Sequence, residues 1–376
     1  MVVAFHWAPE YIFWAWGFLN MFFVLSGYLI GRIILEAVLD QRFSLRDFYM
    51  RRILRIWPVY YLALLAILAY LVLTQGSGFF QTSFFNDWLR SLAYLQFTQY
   101  YSQPGIDPTT AIFNFLPGML PIWSLAVEEQ FYLILPLLLL WLAPRIGLGW
   151  LIMLCLLTAL LGPAARLSGF LPTMLLTQLD GLMLGVALAA ITTRNFRMYG
   201  TDGGPRTALM FGAALLIGAG ALAPYMLDGY LNTAPGPIEL LTGHLLWTWA
   251  DLLFFGLIGL IVLYPKNPYS AFLRSRVLAY LGSISYAMYI SHMPLLYFIK
   301  PRVMAAFGPD LHWLGIVAMI GILVGLPHLS KILVEQPILK FKDRFPNQRP
   351  LPSTHTSGAA ASTIQLDEPL AGTARS

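Results

Sequence analysis

Long apolar runs alternate with short stretches that are basic, polar or rich in Gly and Pro. A helix crosses a bilayer with about 20 mostly apolar residues. Runs of that length stand near 11–31, 56–75, 122–142, 148–165, 171–191, 207–227, 243–264, 278–299 and 313–333. A spanning segment must satisfy its backbone polar groups internally, which a helix does. The pattern predicts an all-α, polytopic membrane helix bundle of about nine full spans. The opening "MVVAFHW" reads as the end of a further helix, the stub of a truncated first span.

Composition agrees with the pattern. The chain is 58% hydrophobic and 11% charged, against about 25% charged residues in a soluble domain. The lipid bilayer is therefore the expected surrounding. The formal charge of +5 does not point to nucleic acid, because topology accounts for the basic residues better. Cytoplasmic loops collect Lys and Arg. If the segment 32–55 is cytoplasmic, nineteen of the 23 Lys and Arg fall on that side, and Arg90, Arg166, Lys300 and Arg302 remain for the other. Residues 346–376 are rich in Pro, Ser, Thr, Ala and Gly and poor in apolar content, which predicts a disordered cytoplasmic tail after a membrane domain over 1–345. The single cysteine, Cys155, forms no internal disulfide, and no Cys/His cluster has metal-binding spacing, so no metal is expected.

Against this apolar background the ionisable residues stand out, since each is costly inside a membrane. "WSLAVEEQFYLILPLLLLWL" (123–142) carries Glu128 and Glu129 in its first turns. Ser124, Glu128 and Tyr132 share one helical face. A carboxylate that snorkels to the interface is the structural alternative. His6 falls at the outer boundary, and an interfacial histidine among aromatics is its alternative. Arg51, Arg52 and Arg55, in "FYMRRILRIWPVYY", stand at an inner mouth. They set orientation, or their guanidinium forks bind phosphate. Asp180 and Asp251 are embedded in apolar spans, and His292 lies toward the outer side; polar pairing between helices is the alternative for all three.

Together these stretches resemble the membrane-bound acyltransferase-3 family, which includes O-antigen and other exopolysaccharide O-acetyltransferases. The resemblance rests on "FFVLSGYLIG" (22–31), "FYMRRILRIWPVYY" (48–61), "WSLAVEEQFYLILP" (123–136), "LDGLMLGVALA" (179–189), "LGSISYAMYISHMPLL" (281–296) and "VEQP" (334–337), in family order over about residues 2–345. It implies a bundle of about ten membrane helices whose first ends in an essential histidine, matched by His6 in "VVAFH". The family's arginine eleven positions before that histidine would precede Met1. Its frequent basic residue two before the aspartate is Gln178 here.

The resemblance implies an acyltransferase of the cell (inner or plasma) membrane. Its donor is acyl-CoA, a co-substrate rather than a bound cofactor, and the acyl group is acetyl by family. Its acceptor is a hydroxyl of a carbohydrate or lipid-linked glycan. The residues suit that chemistry. Arg51, Arg52 and Arg55 would hold the donor's phosphates on the inner side. His6 would be the general base or the acyl carrier, since imidazole titrates near neutral pH. Glu128 or Glu129 would orient His6 or the acceptor, with Ser124, Tyr132, Asp180 and His292 supporting. The competing expectation is a transporter or flippase with Asp180 and Asp251 as a relay.

Overall fold

The computed structural model describes residues 1–8, 12–81, 122–170, 173–231 and 237–346. The tail expected over 346–376 lies outside these apart from its first residue. Every regular element among the described residues is helical. The helices that matter below are α1 (Val2–Trp7), α2 (Phe18–Leu39), α3 (Leu45–Gln75), α4 (Ile122–Ala159), α5 (Leu161–Leu167), α6 (Leu179–Tyr199), α7 (Pro205–Leu231), α8 (Pro237–Leu263), α9 (Arg276–Pro294), α10 (Lys300–Phe307) and α11 (His312–Ser330).

Seven helical stretches among the described residues are long and apolar enough to cross a membrane. The chain is a multi-pass membrane protein. The difference from the expected nine has two sources. The spans expected at 122–142 and 148–165 belong to one helical stretch, which breaks at Gly147. There φ is 72° and ψ 162°, a combination essentially reserved for glycine. The span expected at 278–299 is the helix α9, which is not one of the seven.

The core forms around α6, the most deeply buried of the seven spans. It packs on α2 through two small-residue stripes. Gly27 and Gly31 of "GYLIG" face Gly185, Val186 and Ala189 of α6. A Cβ at Gly27 would stand 2.1 Å from the Leu182 carbonyl oxygen, and one at Gly185 2.2 Å from that of Val24. Only hydrogen at both positions lets these backbones approach, the membrane solution to packing without a hydrophobic driving force. Helices α4 and α8 close around this pair, while α9 touches α1, α3 and α11. The α9–α3 contact is fixed by a hydrogen bond from the Tyr286 hydroxyl to the Ile56 carbonyl, 2.7 Å. Helix α3 starts at Ser44, whose hydroxyl accepts from the Asp47 N–H at 3.3 Å. Ser44 thereby caps the helix that carries Arg51, Arg52 and Arg55 from its second turn onward.

Candidate active site

The face Ser124–Glu128–Tyr132, expected from helical spacing, carries polar contacts at all three positions. The Glu128 carboxylate is buried and accepts hydrogen bonds from the Ser26 hydroxyl of α2 and from the Tyr132 hydroxyl one turn on. Those two hydroxyl oxygens are 2.7 Å apart. One turn the other way, the buried Ser124 hydroxyl pairs with the Tyr289 hydroxyl of α9 at 2.5 Å. Successive members rise by about 6 Å along α4, so the three form a polar file through apolar surroundings.

The file has a different neighbour at each end. At the Tyr132 end, the Arg52 guanidinium lies over the Tyr132 ring, 5.5 Å from its centre, and over Phe48 at 5.8 Å. Arg52 and Arg55 are within electrostatic reach of Glu128. Arg51 turns elsewhere. It donates to the carbonyls of Phe345 at 2.5 Å and Lys342 at 3.3 Å, tying the C-terminal turn to α3. That turn brings a fourth cation, because Lys342 interacts electrostatically with all three arginines.

At the Ser124 end, the Tyr289 ring lies 5.5 Å from that of His292, and the His292 ring 5.3 Å from that of His6. His292 is fully buried. His6 reaches a cavity of about 490 Å³ whose walls include Trp16, Trp123, Trp247, Tyr225 and Tyr289. The three tryptophans come from distant parts of the sequence and meet edge to face: Trp16 with Trp247 at 5.5 Å, Trp123 with Trp247 at 6.3 Å. Broad, flat walls with a few polar tips suit a partner that is apolar on its faces and hydroxylated at its edges.

Glu128 or Glu129 is expected to orient His6 or the acceptor, and no hydrogen bond joins either carboxylate to His6 among the described residues. Glu128 is engaged by Ser26 and Tyr132, and the ring beside His6 is that of His292. Glu129 lies within electrostatic reach of Glu128, Arg52 and Tyr286; its Oε1 has no hydrogen-bond partner among the described residues. No group of three or more His, Cys, Asp or Glu among the described residues could hold a metal ion.

Comparison with known proteins bears on the sequence. The acyltransferase domain of the acyltransferase-3 family matches residues 1–327. The chain belongs to this family. The O-acetyltransferase OatA of Staphylococcus aureus is 24% identical over 317 residues, which is 76% of this chain and 47% of that protein. The peptidoglycan O-acetyltransferase OatA of Listeria monocytogenes is 28% identical over 348 residues, 85% of this chain and 51% of that protein. An uncharacterised protein of Haemophilus influenzae is 35% identical over 130 residues, 32% of this chain. The chain thus spans about half the length of the curated OatA relatives. No solved structure matches it.

Asp180 and Asp251 stand apart from the file. Asp180 pairs with Arg166 of α5 at 2.5 Å, and both side chains are buried. Thr248 of α8 bridges the two, 2.7 Å from Asp180 and 2.6 Å from Arg166, and Arg166 also donates to the Thr177 carbonyl. Charge counting left Arg166 among the four cations of the outer side; its side chain is buried in this cross-link. Asp251 packs against Gly181, where a Cβ would come within 2.5 Å of its Oδ1, and accepts from the Asn20 amide at 2.9 Å. Asn20 also donates to the Trp247 carbonyl at 3.1 Å, which anchors one wall of the aromatic cavity. Sequence reading passed over Ser26, Tyr289, Asn20 and Lys342, and saw in Arg166 only a charge to be counted. Ser26 sits inside a family-like stretch, and the Tyr289–His292 spacing of three was available as a one-face signal.

Proposed function

We propose that this chain is a membrane O-acetyltransferase that carries an acetyl group from acyl-CoA to a hydroxyl of a cell-surface glycan. The observation that carries the reading is the position of His6, which lines an aromatic cavity at one end of a polar file whose other end meets Arg52. The donor's phosphates lie at Arg51, Arg52 and Arg55 on the cytoplasmic side, with Lys342 beside them. Guanidinium forks favour such polyanions. The acceptor sugar lies against the tryptophan walls, as the names of the OatA relatives suggest for a wall glycan. His6 is the general base: it takes the proton of the acceptor hydroxyl as the oxygen attacks the thioester carbon. The transporter reading is the weaker one, because Asp180, one half of its relay, is held in an ion pair with Arg166.

The test uses purified protein in detergent with acetyl-CoA and a muropeptide or oligosaccharide acceptor. Wild type releases free CoA and acetylates the acceptor in equal amounts. His6→Ala still binds acetyl-CoA but transfers nothing above background. Near-normal acceptor acetylation by that variant removes His6 from the chemistry, and a wild type that never consumes the thioester removes the acyltransferase reading.

A further inference from the structure

The ring beside His6 is another imidazole, and its hydrogen bonding is half complete. His292 Nδ1 lies 2.5 Å from the Tyr289 carbonyl oxygen. A carbonyl only accepts, so Nδ1 carries the proton and the lone pair of the neutral ring is at Nε2. That Nε2 is buried and has no hydrogen-bond partner among the described residues. A buried acceptor of this kind normally has a partner. The residue across from it is His6, with the ring centres 5.3 Å apart and the planes tilted by 38°. Two imidazoles joined by an N–H···N bond of about 2.9 Å have centres roughly 5.2 Å apart. The pair therefore already stands at bonding separation. His6 is not fully buried, and a turn of its ring is the movement such a bond needs.

We propose that His6 and His292 form a histidine dyad in which His292 is a positioning residue: its Nε2 accepts the N–H of His6 and so presents the other His6 nitrogen, unprotonated, to the acceptor hydroxyl. This rests on the reading of His6 as the base. In the transfer step the acceptor O–H proton moves to the free nitrogen of His6 while the oxygen bonds to the thioester carbon. The C–S bond then breaks, and the departing thiolate takes that proton from the imidazolium. Throughout, the second His6 proton stays on the bond to His292. The aspartate of a serine-protease triad does the same work of fixing a tautomer. A neutral imidazole does it here at lower desolvation cost than a buried carboxylate would carry.

Tyr289 completes the arrangement from two directions. Its carbonyl fixes the His292 tautomer, and its hydroxyl bonds Ser124 at 2.5 Å, which holds that turn of α9 on α4. The dyad thus reaches the polar file through one residue. Glu128 acts on that file a turn away and makes no hydrogen bond to either histidine.

Three variants separate positioning from packing. His292→Gln keeps an acceptor near the Nε2 position; His292→Asn keeps a donor toward the Tyr289 carbonyl but cannot reach His6; His292→Leu keeps volume alone. With acetyl-CoA and a muropeptide acceptor, kcat falls on the order of 10²-fold in Asn and Leu, while KM for both substrates stays within a factor of about two. Gln recovers at least a tenth of wild-type kcat. Equal kcat in all four proteins, or equal loss in all three variants, overturns the dyad. A readout free of activity uses ¹⁵N-imidazole-labelled protein in detergent, with His6→Gln supplying the assignment. Wild-type His6 shows one protonated and one unprotonated nitrogen, and in His292→Leu the two signals move toward an averaged position. Averaged His6 signals in wild type, or no change in His292→Leu, refute the proposal even if the protein transfers no acetyl group, the outcome that counts against the proposed function instead.

Discussion

Glu128 and Asp180 are both carboxylates in the middle of this bundle, and their partners differ in kind. Asp180 faces the Arg166 guanidinium at 2.5 Å with Thr248 bridging the pair. Its charge is matched within contact distance, and every atom involved belongs to α5, α6 or α8. Glu128 is held by two hydroxyls, from Ser26 and Tyr132, and the nearest guanidinium that touches its group of residues lies against the tyrosine ring. A charge closed off by an opposite charge is a cross-link between helices. A charge held by hydroxyls keeps its partners exchangeable, since a hydroxyl can turn from donor to acceptor. The first arrangement is built for stability, the second for a group that changes partners as substrate arrives.

The largest expected effect comes from breaking the cross-link. Arg166→Met leaves Asp180 buried beside Thr248 and beside Asp251, a second carboxyl group with which it interacts. Removing one member of a buried pair costs about 3–5 kcal/mol. The variant should show a sharply lower unfolding midpoint in detergent and a poor yield, while the folded fraction transfers acetyl at close to the wild-type rate. Arg166→Met combined with Asp180→Leu should recover much of the lost stability, because an apolar pair of similar volume is often neutral. If the single variant is as stable as wild type but inactive, the contrast inverts and Asp180 belongs to the chemistry.

What could be read in the sequence tracks how local each feature is. The face Ser124–Glu128–Tyr132 follows from helical spacing alone, and all three positions carry polar contacts along one side of α4. The all-α membrane bundle followed from the length of the apolar runs. The break at Gly147 did not, since the runs on either side are equally apolar and only a left-handed φ distinguishes the join. The pairing of Arg166 with Asp180 is likewise invisible to charge counting, which cannot see the short helix α5 turn its arginine toward α6 and α8. The ring next to His6 was also out of reach. His6 and His292 sit at opposite ends of the chain, and the aromatic cavity takes Trp16, Trp123 and Trp247 from three separate segments. Spacing rules report neighbours along one helix, whereas these sites are made where helices meet.

A smaller effect is expected when Glu128 loses its charge but keeps its shape. Glu128→Gln can still accept from Ser26 and Tyr132, so the unfolding midpoint should stay within a few degrees of wild type. Transfer should fall by about 10²-fold if the charge orients the reacting groups. Glu129→Gln, whose carboxylate Oε1 accepts no hydrogen bond among the described residues, should do less. If Glu128→Gln unfolds as readily as Arg166→Met, Glu128 is a second structural carboxylate and the contrast disappears.

The smallest effect, and the one that best sharpens the comparison, concerns the cation at the far end of the file. Arg52 stacks on Phe48 and Tyr132 and, among the described residues, makes no ion pair of the kind that holds Arg166. Its Nε has no hydrogen-bond partner among the described residues. A guanidinium placed this way keeps its fork for an incoming anion, and a charge-assisted bond to phosphate contributes about 1.5–3 kcal/mol. Arg52→Ala should therefore weaken acetyl-CoA binding by roughly 10- to 100-fold, measured by titration calorimetry on purified protein. The acceptor KM and the unfolding midpoint should barely move. Arg52→Lys should recover only part of the affinity, because an ammonium keeps the charge and loses the planar fork that both stacks on the rings and grips two oxygens. Salt then separates two sources of any residual binding. A loss of affinity between low and high ionic strength that is equally steep in wild type and Arg52→Ala means that the arginines attract the donor only through their shared field, and that no phosphate rests on Arg52.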